Sequence, residues 1–157
     1  MRNLSILVSL LVLSLAACTP PAPTTPAGSV ARYSSDAKFD DVRDDVERAI
    51  LAKGLVIDHT SFVAKMLDRT GKDLGSDKKL FADGHGQAFV FCSAAVSRKT
   101  MEADAHNMAF CPYSIVLYST AAEPKKVYVA YRRALPDVDA LLDGIVREAL
   151  RIKDEKK

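Results

Sequence analysis

Whatever this chain of 157 residues folds into begins after Cys18. Arg2 supplies a positive start, and Leu4 to Leu15 is an apolar run broken only by serines. The run ends in Leu15-Ala16-Ala17-Cys18, two small residues before a thiol. A membrane-spanning helix needs about 20 apolar residues, and this run has the shorter length of a signal-peptide core. Next comes Thr19 to Ser29, TPPAPTTPAGS, whose closely spaced prolines cannot pack as helix or sheet and read as an extended tether. Three segments follow: a leader over 1–17, a linker over 18–29, and one domain over 30–157.

The leader resembles a bacterial lipobox, in which the small residues admit a peptidase and the cysteine accepts the acyl chain. The expected product is a lipoprotein attached to a membrane through lipid on Cys18. Its expected place is the cell envelope. Thr19, where an aspartate would favour inner-membrane retention, points to the outer membrane with the domain in the periplasm.

Charge is balanced. The 22 basic residues, Arg2 among them, face 20 acidic ones, with no like-charge block beyond the mixed tail from Arg151 to Lys157. A nucleic-acid surface needs clustered Lys and Arg, so no nucleic-acid partner is expected.

Helical periodicity is plainest at Phe39, Val42, Val46 and Ile50, with Asp40 and Asp41 in the first turn and Gly54 as the stop. Pro136 and Asp137 open a last helix, with Val138, Leu141, Leu142, Ile145, Ala149 and Leu150 as its apolar stripe. Gly144 interrupts that stripe, which suggests close packing on the sheet or on a second subunit. Between these helices the pattern predicts strands at Val30–Ser34, Leu55–Ile57, Gln87–Cys92, Ile115–Ser119 and Val127–Tyr131. It also predicts a short helix before Gly71, one from Ser76 to Asp83, and one from Ala94 to Ala103 capped by Ser93. The order predicts an α+β fold: a two-layer sandwich with a mixed four- to five-stranded sheet and helices on one face.

Three stretches carry a family resemblance: FDDVRDDVERAILAKGLVI, QAFVFCSAA and FCPYSIVLYS. Together, over roughly Phe39 to Arg132, they resemble the bacterial and archaeal domain of unknown function 302 family. The resemblance implies a compact two-layer domain, often a homodimer, and supplies no catalytic residue. Phe91-Cys92 and Phe110-Cys111 mark a cysteine-bearing branch of it.

Chemistry concentrates between Cys92 and Cys111, where Met101, Asp104, His106 and Met108 also lie. Three readings stand for the cysteines. They form a disulfide in an oxidising compartment, they are buried free thiols, or they act as metal ligands or reactive thiols. Adjacent antiparallel strands would bring them together; a parallel crossover would hold them at opposite ends of the sheet. His106 and Met108 are candidate binding residues, read alternatively as a turn residue and a core filler. Asp83-Gly84-His85-Gly86 reads as a turn. Neither a nucleophile elbow nor a phosphate-binding loop is present.

The leading functional expectation is a non-enzymatic binding or accessory domain without cofactor, acting through a periplasmic partner or small ligand. The alternative is a metal-, haem- or thiol-redox protein centred on Cys92, His106, Met108 and Cys111, with copper or haem as its cofactor. A third reading is a structural envelope protein that dimerises.

Overall fold

The computed structural model describes residues 28–153. The leader, Cys18 and nearly all of the proline-rich linker lie outside the described residues.

The elements run β1 (Val30–Ser35), α1 (Phe39–Ala52), β2 (Val56–Ser61), α2 (Val63–Thr70), a 3-10 turn (Lys72–Leu74) and β3 (Phe81–Cys92). They continue with α3 (Ala94–Ala103), a 3-10 segment (Ala105–Phe110), β4 (Tyr113–Thr120), β5 (Val127–Arg132) and α4 (Pro136–Ala149). The sheet order is β1-β5-β4-β3-β2. Every neighbouring pair is antiparallel, so the sheet is not mixed. The reason lies in the long connections. β1 and β2 point the same way, but α1 carries the chain between opposite edges of the sheet, and the two strands never pair. The segment between β3 and β4 returns the chain to the sheet end it left.

One face of the sheet forms the core. In β4, Tyr113, Ile115, Leu117 and Ser119 are buried and alternate with half-exposed residues, the period of two that a pleated strand imposes. Phe89 and Phe91 of β3 and Val127, Val129 and Tyr131 of β5 join that row. The helices bring matching stripes: Phe39, Val42, Val46 and Ile50 from α1, and Val138, Leu142, Ile145 and Val146 from α4. The two helices pack side by side, and a Lys53–Glu148 ion pair at 2.6 Å links their ends.

β3 is longer than its sequence pattern indicates. It starts at Phe81, and no helix forms over Ser76 to Asp83. Asp83 and Gly84 take positive φ angles of 46° and 72°, and the register with β4 shifts between Phe81 and Gly86. The predicted turn is therefore an irregularity inside a strand. Gly86 is needed for close approach: a Cβ there would lie 2.8 Å from the Cβ of Ala64, the buried residue of α2.

A polar knot fastens β1 and β5 to α4. The Tyr33 hydroxyl donates to the Asp143 carboxylate, and the Tyr131 hydroxyl donates to the same oxygen at 3.4 Å. Arg147 lies 3.7 Å from the other Asp143 oxygen. Burial, reinforced by the neighbouring Tyr33 and Asp143, pushes the Tyr131 phenol well above its ordinary value; burial and the Asp143 hydrogen bond push Tyr33 up as well.

Two expectations follow from this packing. Gly144 is exposed, and a methyl group added to it would meet nothing within 4 Å, so it serves no close packing within the domain. Gly144→Ala should raise stability by about 1 kcal/mol in urea denaturation, the intrinsic helix difference; a loss would reveal a contact made there by another molecule. The raised phenols stabilise the fold fully below the ordinary tyrosine value of 10.0, and that contribution is lost as pH rises through their folded values. Urea midpoints measured from about pH 8 to about pH 11 should fall with pH, and Tyr131→Phe should flatten the fall.

Candidate functional site

The antiparallel pairing of β3 with β4 decides where the cysteines lie. Phe91 is the register partner of Tyr113, so Cys92 leaves β3 at the sheet end where Cys111 leads into β4. Their Cα atoms are 6.4 Å apart and the sulfurs lie within disulfide-bonding distance. The arrangement realises the first of the two geometries posed by the sequence. Around the pair, α3 is pinned by side chains. Ser93 caps it, accepting from the Val96 amide, and Ser97 Oγ lies 2.9 Å from the Tyr113 hydroxyl and 3.8 Å from Cys111 Sγ. Cys111 packs against the core, and Pro112 follows it through a cis peptide bond.

His106 and Met108 are not drawn in with the cysteines. Both are exposed, Met108 at 64%. The local structure there is built from other groups: Asp104 accepts from the His106 amide at 2.9 Å, and the Asn107 side-chain amide donates to the Thr100 carbonyl at 2.9 Å. Among the described residues no group of three or more His, Cys, Asp or Glu side chains is placed to hold a metal ion. Once bonded to each other, the two sulfurs would offer no thiolate to a metal or substrate.

What the 3-10 segment borders instead is a cavity of about 250 Å³ between it, the start of β4, the end of β5 and α4. Phe110, Pro112, Tyr113, Arg132 and Arg133 line it, with Val138 and Leu142 at its apolar wall. Arg132 and Arg133 are exposed. Arg133 reaches Asp139 only at 3.7 Å, and Asp139 is itself engaged by the Ala134 amide at 2.7 Å. Phe110 is 42% exposed beside these cations. An apolar floor with an arginine rim suits acidic groups carried on an apolar body, since guanidinium forks recognise carboxylate and phosphate. The arginines escape a reading centred on the cysteines. Their signal is the Arg132-Arg133 pair where a strand ends, at a sheet end where openings form.

A bridge between Cys92 and Cys111 makes a direct prediction. The paired residues are 19 apart in sequence, and closing that loop should stabilise the fold by about 3 kcal/mol in the chain-entropy model. Cys92→Ala with Cys111→Ala, or reduction, should lower the denaturation midpoint accordingly. Denatured, unreduced protein should show neither of these thiols to a titrant; two reactive thiols there would exclude the bridge.

Comparison with known proteins agrees with this architecture. The family model described as domain of unknown function DUF302 matches residues 31–153. A crystal structure of an uncharacterised conserved DUF302 protein from Bacillus stearothermophilus superposes with a TM-score of 0.57 at 11% identity. The match covers 78% of this chain and 94% of that one. The search of curated proteins returned no match. A match across nearly all of the described residues places the chain plainly: it belongs to the domain of unknown function 302 family.

Proposed function

We propose that this protein is a lipid-anchored envelope protein whose domain is a non-enzymatic binding or accessory module facing the periplasm. The observation that carries the reading is the placement of Cys92 and Cys111 within disulfide-bonding distance in a chain whose leader ends in Leu15-Ala16-Ala17-Cys18. Disulfides persist in exported proteins and are rare in reducing compartments, so the bridge and the leader support export independently. Acylation of Cys18 then gives the membrane attachment, and the proline-rich linker holds the domain away from the surface.

The binding face we assign to the module is the arginine-rimmed opening beside the bridge. Phe110 and Met108 offer exposed apolar area, and Arg132 and Arg133 offer charge. The fitting partner is an acidic segment of a periplasmic protein or a small acidic ligand. The 3-10 segment that carries Phe110 and Met108 lies between the bridged cysteines, so oxidation limits its freedom and favours a preformed face.

Cys18→Ala tests the anchor. Metabolic labelling with a radioactive fatty acid should mark the wild-type chain and leave the variant unlabelled and unprocessed. Equal labelling of the two would overturn the reading.

A further inference from the structure

We propose that a second cavity, at the other end of β4, binds a small organic carboxylate. Asp36, Lys38, Phe39, His85, Ser119 and Lys125 line it, and its open hollow holds about 330 Å³. The inference goes beyond the binding reading above, uses different residues, and holds whether or not Cys18 carries lipid.

The first observation is two buried polar atoms without partners. Ser119 is 0% exposed, and its hydroxyl makes no hydrogen bond among the described residues. His85 Nδ1 is buried and equally unpaired. Native proteins seldom leave such atoms unsatisfied, and an exception calls for a ligand or another function. Ser119 continues the inward row Tyr113, Ile115, Leu117, and every other member is a large apolar side chain. The Ser119 hydroxyl and the His85 imidazole are each of a kind that donates to an oxyanion, the hydroxyl directly and the imidazole through an Nδ1–H.

The second observation is the electrostatics. The cavity opens on the first residues of α1, a 14-residue helix whose N-cap, Lys38, supplies no side-chain cap. Uncapped first-turn amides and the helix dipole favour an anion at that place. Lys38 and Lys125 add two cations, against Asp36 alone among the lining carboxylates. Asp40 and Asp41 also belong to the first turn, and Arg43 holds Asp40 at 2.6 Å.

The third observation separates a carboxylate on a carbon body from a bare inorganic anion. The Phe39 and His85 rings stack face to face, 4.2 Å apart and 1° from parallel. Stacking fixes the imidazole, and Phe39, Pro124 and Val127 give the cavity an apolar wall. An organic acid with a short apolar body matches such a lining better than fully hydrated phosphate does.

The test uses the full-length protein in mild detergent, titrated with benzoate, inorganic phosphate and the neutral analogue benzamide. Binding is read by calorimetry and by amide chemical shifts. Benzoate should shift the amides of Phe39, His85 and Ser119 and, read at those amides, bind more tightly than phosphate or benzamide. Ser119→Ala should weaken it about tenfold or more, as expected for a lost hydrogen bond to a charged group. Lys125→Glu, at an exposed position that leaves the core intact, should weaken it too and guards against a folding defect in the serine variant. Arg98→Ala, at an exposed position of α3 that lines neither opening, should leave benzoate binding unchanged. Failure of benzoate to bind, equal binding of phosphate or benzamide, or a benzoate affinity indifferent to both Ser119→Ala and Lys125→Glu would each overturn the proposal. Fatty-acid labelling reports on the anchor alone, so the two readings fail separately.

Discussion

Phe91, Ile115, Leu117 and Val129 project from three adjacent strands into one layer with Val46, Ile50, Ile145 and Val146 from α1 and α4, and none of the eight is exposed. Burying each such side chain is worth about 1.5–3 kcal/mol. The consequence reaches beyond stability. Side chains alternate along a strand, so a one-residue slip of β4 would turn Ile115 and Leu117 out to solvent. The core therefore locks the register, and the register places every group of functional interest. Cys92 meets Cys111 because Phe91 pairs with Tyr113. Ser119 is carried inside because Leu117 is.

Local physics made the helices readable. α1 and α4 announce themselves by apolar spacing, and their ends by Asp40, Asp41, Gly54 and Pro136; Ser93 caps α3 as its sequence suggests. β3 was only half legible. Its first half, Phe81 to Gly86, contains two glycines and an aspartate, with no alternation to read. It is a strand because β4 lies beside it and because Gly86 admits Ala64 of α2, neither of which is local. The same limit explains the sheet. Strand orientation depends on whether a connection crosses the sheet or returns, and helical periodicity is identical in the two cases. The sequence could pose the condition for cysteine pairing but not resolve it.

The candidate site shows a different limit. Closeness in sequence made His106 and Met108 look like companions of the cysteines. Between the cysteines, however, the chain runs through a helix and a 3-10 segment whose outer sides face solvent, and both side chains fall there. Residues that line openings were less conspicuous. Arg132 and Arg133 terminate a strand, and Ser119 is one serine in an otherwise apolar row. Each becomes informative only when its strand end and face are known. Of these, Ser119 carried the clearest signal, since a lone hydroxyl at an inward position conflicts with the pattern around it. Natural sequences break the local pattern chiefly at functional or strained positions.

The two openings occupy opposite ends of the same strand pair. One takes in Tyr113 and Ser114 at the start of β4 and Arg132 at the end of β5; the other takes in Ser119 at the end of β4 and Val127 at the start of β5. At about 3.3 Å per residue, the stretch from Tyr113 to Ser119 spans roughly 20 Å. Sites so far apart, with no lining residue in common, are ordinarily independent in energy. The strands between them are held by the buried layer at every second residue, and a packed layer of that kind resists graded deformation. A bridge between Cys92 and Cys111 would therefore shape the opening at its own end without reaching the other. Under the two proposals made here, a small acid at one end and an acidic partner at the arginine-rimmed end would each bind on its own terms.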